Sequence, residues 1–223
     1  MNVLIVAAHP DDEVLGCGGT AARLVREGHT VSISILGEGM TSRSKADRSP
    51  LTELHACARR AAEIIGAKDL ALHGLPDNRF DTLPLLDMVK IVEERIARLR
   101  PEIVYTHHGG DLNVDHQITH RAVLTATRPV EGHTVRELYT FEIASSTEWA
   151  FQRIEPVFRP NVFVNIAREL KNKTAAMAAY VSESRPFPHP RSSEALEAAA
   201  RRWGSVAGCA AAEAFELIRS VRI

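Results

Sequence analysis

The sequence predicts an α/β fold, a Rossmann-like doubly wound and mostly parallel sheet flanked by helices, with a C-terminal capping extension. A continuous apolar, β-branched run close to the amino terminus is typical of a strand buried on both faces. Apolar strands then alternate with helical segments over short connections. Of the 223 residues, 45% are hydrophobic and 25% charged, a globular composition. We therefore expect a single domain over residues 1–223.

The first half supplies the alternating elements in order. Residues 3–8 form the first strand, and the helix at 20–27 ends at Gly28, a residue typical of helix C-termini. A second strand follows at 30–36. The next predicted elements are a helix at 51–65, a short apolar segment at 69–73, a helix at 84–100, a strand at 102–106 and a helix at 115–127.

The last third is less regular and is expected to cap or edge the same sheet. Extended stretches are predicted at 136–143 and 157–166, followed by helices at 167–181 and 192–219. A proline-rich stretch at 186–190 separates the two helices, and Gly204 and Gly208 interrupt the second.

Charge and cysteine content exclude several classes of protein. With 27 Lys and Arg against 28 Asp and Glu, the net charge is −1, so no basic field would hold a nucleic acid. Three cysteines without C-x-x-C spacing do not suggest a disulfide framework or a four-cysteine zinc site. No stretch approaches the roughly 20 apolar residues of a membrane helix, and the amino terminus lacks a signal peptide's basic segment. We expect a soluble, cytoplasmic protein.

Chemistry is expected at the carboxyl ends of the strands, where the loops after the first and fourth strands meet. The first loop, residues 8–13, is AHPDDE, and the second, 107–116, is HHGGDLNVDH. A dinucleotide site is not expected, because the glycines from Gly16 onward come too late for a G-x-G-x-x-G turn. Imidazoles and carboxylates together predict a divalent metal site. In or beside the loops lie five of the ten histidines (His9, His107, His108, His116 and His120) and six acids (Asp11, Asp12, Glu13, Glu102, Asp111 and Asp115).

Zinc is the metal that suits this set, since catalytic zinc takes three His or Asp ligands and keeps a position open. His9 and Asp12, three residues apart on one turn, and His116 from the second loop are the predicted ligands. Asp11 is then free to act as general base on a zinc-bound water, whose pKa the ion lowers towards about 7. The alternatives are Asp12 as a helix N-cap and Asp11 as a structural acid paired with an arginine.

The two loop motifs resemble those of the zinc-dependent PIG-L/LmbE-like N-acetylglucosaminyl deacetylases. Stretches at 75–82 and 185–192 extend the resemblance through most of the chain. It implies that His9, Asp12 and His116 bind Zn²⁺ and that Asp11 is the base that hydrolyses an N-acetyl group. The implied substrate is a small-molecule or glycoconjugate amino sugar, and a homo-oligomer would resemble some family members.

One position departs from the family pattern. Many members carry H-P-D-H in the second motif, with its first histidine acting as general acid or oxyanion stabiliser, and this chain has Asn113 there. An amide can donate a hydrogen bond to the tetrahedral intermediate but cannot deliver a proton. Protonation of the leaving amine then falls to Asp11, or to a histidine such as His108 or His189. Asp115 matches a family acid that orients the histidine missing here, or instead anchors a ligand imidazole.

Four cationic or imidazole residues are candidates for substrate binding. His189 and Arg191 lie in or beside the proline-rich stretch, and with Arg43 they would favour an anionic sugar such as a sugar phosphate or nucleotide sugar. His108 is the fourth candidate. Two other functions compete with deacetylation: metal-dependent hydrolysis of another acyl or phosphoryl group, and sugar binding without turnover, which Asn113 motivates.

Overall fold

A computed structural model of the chain describes residues 1–41 and 51–222. In this part of the chain, strands and helices alternate through the first 126 residues, as predicted. The strands are β1 (Asn2–Ala7), β2 (Thr30–Gly37), β3 (Asp69–Leu75), β4 (Ile103–His107), β5 (Glu137–Phe141), β6 (Val162–Asn165) and β7 (Ala212–Ser220). The helices are α1 (Asp12–Arg26), α2 (Leu51–Ile65), α3 (Leu85–Leu99), α4 (Val114–Ala126), α5 (Leu170–Ala179) and α6 (Ser193–Ala207).

All seven strands form one sheet in the order β3-β2-β1-β4-β5-β7-β6. Strands β1 to β5 run parallel, and β7 is antiparallel to both of its neighbours. The predicted doubly wound sheet is confirmed, since one face packs against α1, α2 and α5 and the other against α3 and α4. The strand order reverses between β1 and β4, so the loops that follow these two strands end side by side.

The prediction of a helix up to residue 219 is wrong. Helix α6 ends at Ala207, Gly208 follows in the left-handed conformation (φ 71°), and β7 begins at Ala212. Alanine and glutamate favour helix intrinsically, but residues 212–220 pair with β5 on one side and β6 on the other. The extended stretch predicted at 157–166 is likewise reduced to the four residues of β6.

Helix α1 starts at Asp12, eight residues before the predicted start, and is broken at Cys17 (φ −147°, ψ 23°). The break comes where glycines allow neighbouring side chains to approach the helix. A Cβ on Gly16 would lie 2.3 Å from Cδ2 of Phe141, and one on Gly19 would lie 2.7 Å from Cδ1 of Ile166. The glycine run therefore serves packing.

A buried ion pair from the C-terminal third supports the second half of α1. The carboxylate of Glu213 in β7 accepts the N–H groups of Gly19 (3.0 Å) and Thr20 (2.6 Å), as an anion at a helix N-terminus does. Lys173 of α5 neutralises this carboxylate at 2.6 Å and donates to the carbonyl of Leu15 (2.8 Å). The last third of the chain thus holds in place the helix that follows the first loop.

Among the helices of the described part of the chain, none has the length and apolar character needed to cross a bilayer.

Candidate functional site

His9, Asp12 and His116 come together where the loops after β1 and β4 meet. One nitrogen or oxygen of each lies within 4.8 Å of the others, and all three residues are buried. Oδ2 of Asp12 is 3.4 Å from Nδ1 of His9 and 3.3 Å from Nε2 of His116. The structure therefore brings together the three residues predicted as metal ligands.

The first loop reaches this geometry through a strained residue. Asp11 has φ 101°, a conformation unfavourable for any residue with a side chain. Its carbonyl accepts the N–H groups of Val14 (3.0 Å) and Leu15 (2.9 Å), while its carboxylate makes no cap hydrogen bond. The carboxylate of Asp12 accepts the N–H of His9 (2.8 Å) within the loop. The carboxylates of Asp11 and Asp12 do not cap α1. Both instead line a cavity beside the cluster.

Asp115 anchors the ring of His9. Its Oδ2 lies 2.9 Å from Nε2 of His9, which leaves Nδ1 facing Asp12. The same carboxylate accepts the N–H groups of Asn78 (2.7 Å) and Phe80 (2.9 Å), so its own position is fixed. Of the two roles predicted for Asp115, this geometry supports the imidazole anchor.

His116 has a carboxylate behind it in the same way. Nδ1 of His116 lies 3.1 Å from Oδ1 of Asp111, while Nε2 faces the cluster. Asp111 accepts hydrogen bonds from the backbone N–H of Asn113 (2.8 Å) and from the hydroxyls of Ser146 and Thr147. Both imidazoles are thus held with one nitrogen aimed at a shared point.

The electrostatics of the cluster favour positive charge. Burial lowers the pKa of His9, but Asp115 and Asp12 outweigh it and raise that pKa to about 10. Burial likewise lowers the pKa of His116, and Asp12 and Asp111 raise it to about 9. Burial would raise the pKa of Asp12, yet His116 and His107 hold it well below its usual range. A position that favours charge on two imidazoles also suits a metal cation, and this donor set is one that zinc accepts.

A second group shares one of these residues. One nitrogen or oxygen from each of His9, Asp77 and Asp115 also lies within 4.8 Å of the others. Here His9 faces the carboxylates through Nε2, which lies 3.3 Å from Oδ1 of Asp77. An ion there would displace the contact between Asp115 and His9 that orients the ring. The first group leaves that contact intact, so it is the better candidate for a metal site.

Asp11 is paired with Arg191. Nη1 of Arg191 donates to Oδ2 of Asp11 at 2.7 Å, and its Nε donates to the hydroxyl of Ser145 at 2.8 Å. Burial raises the pKa of Asp11, and the guanidinium of Arg191 partly offsets that rise. The alternative in which Asp11 pairs with an arginine is therefore observed, at a carboxylate that also lines the cavity. Arg191, predicted to bind substrate, is engaged with this carboxylate.

Asn113 caps α4 while lining the same cavity. Its Oδ1 accepts the N–H of Asp115 (2.8 Å), and its Nδ2 donates to Oδ1 of Asn78 (3.1 Å). The cavity has a volume of about 150 Å³. Its walls include His9, Asp11, Asp12, Asp77, Asn78, Asn113, His116, Ser145, Ser146, Glu183 and Arg191.

Some predicted residues lie elsewhere. The ring of His108 has Nδ1 2.9 Å from Glu216 and Nε2 2.6 Å from the carbonyl of Pro156, so it does not reach the cavity. The prediction that Glu102 lies beside the two loops is wrong. Glu102 precedes β4 and so lies at the amino ends of the parallel strands, away from the cavity. His189 lies in an adjoining hollow. Arg43 lies outside the described residues.

Two further histidines support the loops. Nε2 of His107 accepts the N–H of Ala8 at 2.8 Å and so ties the end of β4 to the end of β1. Its ring stacks on His116 with centroids 4.1 Å apart, and burial holds its pKa well below the usual value. Nδ1 of His120 lies 2.9 Å from the carbonyl of His107.

Several cavity residues were not predicted from the sequence. Asp77 and Asn78 lie in the stretch 75–82 that carries part of the resemblance, which was the available signal. Ser145 follows β5, the strand beside β4, so its position at this edge follows from the sheet order. Glu183 precedes the proline-rich stretch, and no pattern singles it out.

This chain is similar to known deacetylases in sequence and to solved structures in fold. Residues 4–127 match the family model PIG-L, described as GlcNAc-PI de-N-acetylase. The chain is 29% identical over 173 residues to the uncharacterized deacetylase YaiS of Escherichia coli (strain K12), covering 75% of this chain and 83% of that protein. It is 25% identical over 192 residues to a probable N-acetyl-alpha-D-glucosaminyl L-malate deacetylase 2 of Bacillus cereus, covering 82% and 84%. A crystal structure of a conserved protein from Thermus thermophilus has a TM-score of 0.78 at 29% identity, covering 99% and 96%.

Proposed function

Because the chain belongs to the PIG-L family, whose matched model is described as a de-N-acetylase, we propose that it is a zinc-dependent hydrolase of N-acetylglucosamine-type amino sugars. The substrate's N-acetyl group is released as acetate, leaving a free amine. The observation that carries the proposal is the convergence of His9, Asp12 and His116 beside the carboxylate of Asp11. We take residues 1–223 as one domain, since the last third adds β6 and β7 to the same sheet.

His9, Asp12 and His116 would hold the zinc ion. When bound, the ion supplies Lewis acidity to the acetamide carbonyl and to the attacking water. Asp115 and Asp111 keep the two imidazoles aimed at the ion by occupying their other ring nitrogens. Both carboxylates also raise the basicity of these imidazoles, as such partners do in metal sites.

Asp11 is the general base. Arg191 binds Oδ2 of Asp11, and we assign Oδ1 to the proton of the attacking water. After the water oxygen has bonded to the carbonyl carbon, the same carboxyl group returns the proton to the nitrogen as the C–N bond breaks. Asn113 has no proton to transfer, His108 is engaged with Glu216 and Pro156, and His189 lies in the adjoining hollow. Asp11 is therefore best placed for both steps. The Nδ2 group of Asn113 donates to the developing oxyanion.

Arg191 positions Asp11 in this scheme and does not bind substrate. The sequence predicts an anionic sugar from Arg43, His189 and Arg191, but the guanidinium of Arg191 is engaged with Asp11 and Ser145. The proposal is accordingly an acetamido sugar, with no phosphate or nucleotide assigned to it.

The proposal is tested by the products formed from amide, ester and phosphate substrates. Acetamido sugars should yield acetate and free amine in equal amounts, and only with protein that contains zinc. Hydrolysis of esters or phosphates with the amides left intact would favour another metal-dependent hydrolase. Saturable sugar binding without acetate release would indicate a binding module.

Replacing Asp115 by asparagine is expected to weaken zinc binding by about 10- to 100-fold. Oδ2 of Asp115 faces both Nε2 of His9 and the N–H of Asn78, and Oδ1 faces the N–H of Phe80. An NH₂ group in place of Oδ2 opposes His9 and Asn78, and one in place of Oδ1 opposes the N–H of Phe80. Neither orientation of the amide therefore keeps both the contact with His9 and the bonds that fix residue 115. Competition with a zinc chelator measures the change, and Asp81→Asn, an exposed acid nearby, should leave it unaltered. Equal affinity in the two variants would contradict the anchoring role.

A further inference from the structure

The cavity beside His9, Asp12 and His116 is called the metal cavity below. A second cavity adjoins it and shares three of its wall residues, Ser145, Glu183 and Arg191. The metal cavity, at about 150 Å³, is smaller than the roughly 300 Å³ at which ordinary ligand pockets begin. The second cavity, which we call the outer hollow, measures about 630 Å³ and falls within the usual range. A ligand whose acetamido end reaches Asp11 therefore has room to continue only where the cavity opens, and one such direction is the outer hollow.

An aromatic side chain forms one wall of the outer hollow. Trp149 lies on the single turn Glu148–Ala150 that follows β5, and 41% of its surface is exposed. His189 contacts its ring in an edge-to-face arrangement, with centroids 5.8 Å apart and planes at 79°. An indole held in this way combines a large apolar surface with a polar edge. Such a surface matches the C–H face of a pyranose ring.

Carboxylates compensate one of the two guanidinium groups on the outer hollow, that of Arg191. Arg191 lies 2.7 Å from Asp11 and 3.5 Å from Glu183, so two carboxylates surround its guanidinium. Arg185 donates from Nη1 to the carbonyls of Ser182 and Ser184, which orient the guanidinium but leave its charge. The described walls therefore carry one uncompensated cation and not the cluster of cations that a phosphate or a dicarboxylate favours.

The polar groups that remain are suited to hydroxyls. Nδ1 of His189 accepts the backbone N–H of Arg191 (3.1 Å), so in the neutral ring the proton is on Nε2, which is a donor. Arg185 is exposed and carries further N–H groups besides Nη1. Glu183 also lines the hollow, where its carboxylate accepts the hydroxyl of Ser182 (2.9 Å) and lies 3.5 Å from Arg191. An indole face beside a neutral donor and a cationic donor matches a hydroxylated ring.

We propose that the outer hollow is the subsite for the part of the substrate beyond the acetamido sugar, and that it takes an uncharged second sugar ring stacked on Trp149. Arg185 and His189 donate to hydroxyls of that ring. This inference rests on the proposed deacetylation and adds the class of substrate. It separates this chain from the similar Bacillus cereus protein, whose name specifies malate, an anionic group.

The test compares acetate release from N-acetylglucosamine, N,N′-diacetylchitobiose and N-acetylglucosamine 1-phosphate. Trp149→Ala should raise KM for the disaccharide about 10-fold, equivalent to about 1.4 kcal/mol, and leave KM for the monosaccharide unchanged. Trp149→Phe should restore most of the affinity. Phe151→Ala, which removes an aromatic ring that is 74% exposed but is not part of the walls, is the matched control and should behave as the wild type.

Three results would overturn the subsite. These are an equal rise in KM for monosaccharide and disaccharide in Trp149→Ala, no preference of the wild type for the disaccharide, and a preference for the 1-phosphate that Arg185→Met removes. If circular dichroism shows that Trp149→Ala does not fold, Arg185→Met decides. In that variant the KM for the disaccharide should rise and the KM for the monosaccharide should stay unchanged. Acetate from none of the three substrates would contradict the proposed function itself, whereas acetate from all without discrimination contradicts only the subsite.

Discussion

Replacing Asp11 by asparagine should slow acetate release by about 10²- to 10⁴-fold, the usual contribution of a positioned general base. The amide has the same shape and can still accept the N–H of Arg191, but it cannot take a proton from water. Zinc content should stay at one ion per chain, because the three ligand positions of His9, Asp12 and His116 are unchanged. Steady-state kcat and metal analysis of the same preparation measure both quantities.

Asp87→Asn is the matched control for this variant. Asp87 is an exposed acid in the first turn of α3, so its replacement should leave both the rate and the zinc content near those of the wild type. A wild-type rate in Asp11→Asn would remove the base from the mechanism. Loss of zinc in Asp11→Asn would instead place Asp11 among the ligands.

Replacing His116 by alanine should remove the bound zinc and reduce kcat by at least about 10³-fold, since a catalytic metal contributes several kcal/mol. Without this imidazole, one of three donors is missing, and Asp12 loses a partner that holds its pKa low. Metal analysis after gel filtration and the rate of acetate release are the measurements.

His120→Ala is the control for His116. His120 lies one turn later on α4 and contacts the carbonyl of His107 without facing the cluster, so its loss should spare zinc binding. Full zinc occupancy in His116→Ala would show that the second loop does not supply a ligand.

The sheet around the site was predictable because its strands carry their own signal. Residues 3–8 are uniformly apolar, as a strand covered on both faces requires, and the reversal of strand order places the two polar loops together. Strand β7 was not predictable in this way. Its alanines and glutamates favour a helix locally, and only pairing with β5 and β6, remote in sequence, makes it a strand.

In the site, residues on the two local motifs were predicted, and residues whose roles depend on distant partners were not. The carboxylate that engages Arg191 is 180 residues away in the chain, so the sequence could not show that this guanidinium is already paired. His107 and His108 are neighbouring histidines, so the sequence alone does not tell which of them faces the site. Successive side chains at a strand end point to opposite faces, and His107 accordingly contacts His116 while His108 contacts Glu216.

The central claim is tested most directly by anomalous scattering at the zinc edge from crystals of protein purified without chelators. The account predicts one strong peak, which marks a zinc ion bound by Nδ1 of His9, by Asp12 and by Nε2 of His116. Asp115 should still contact Nε2 of His9. Absence of a peak at this point, or a peak held by His9, Asp77 and Asp115 instead, would contradict it.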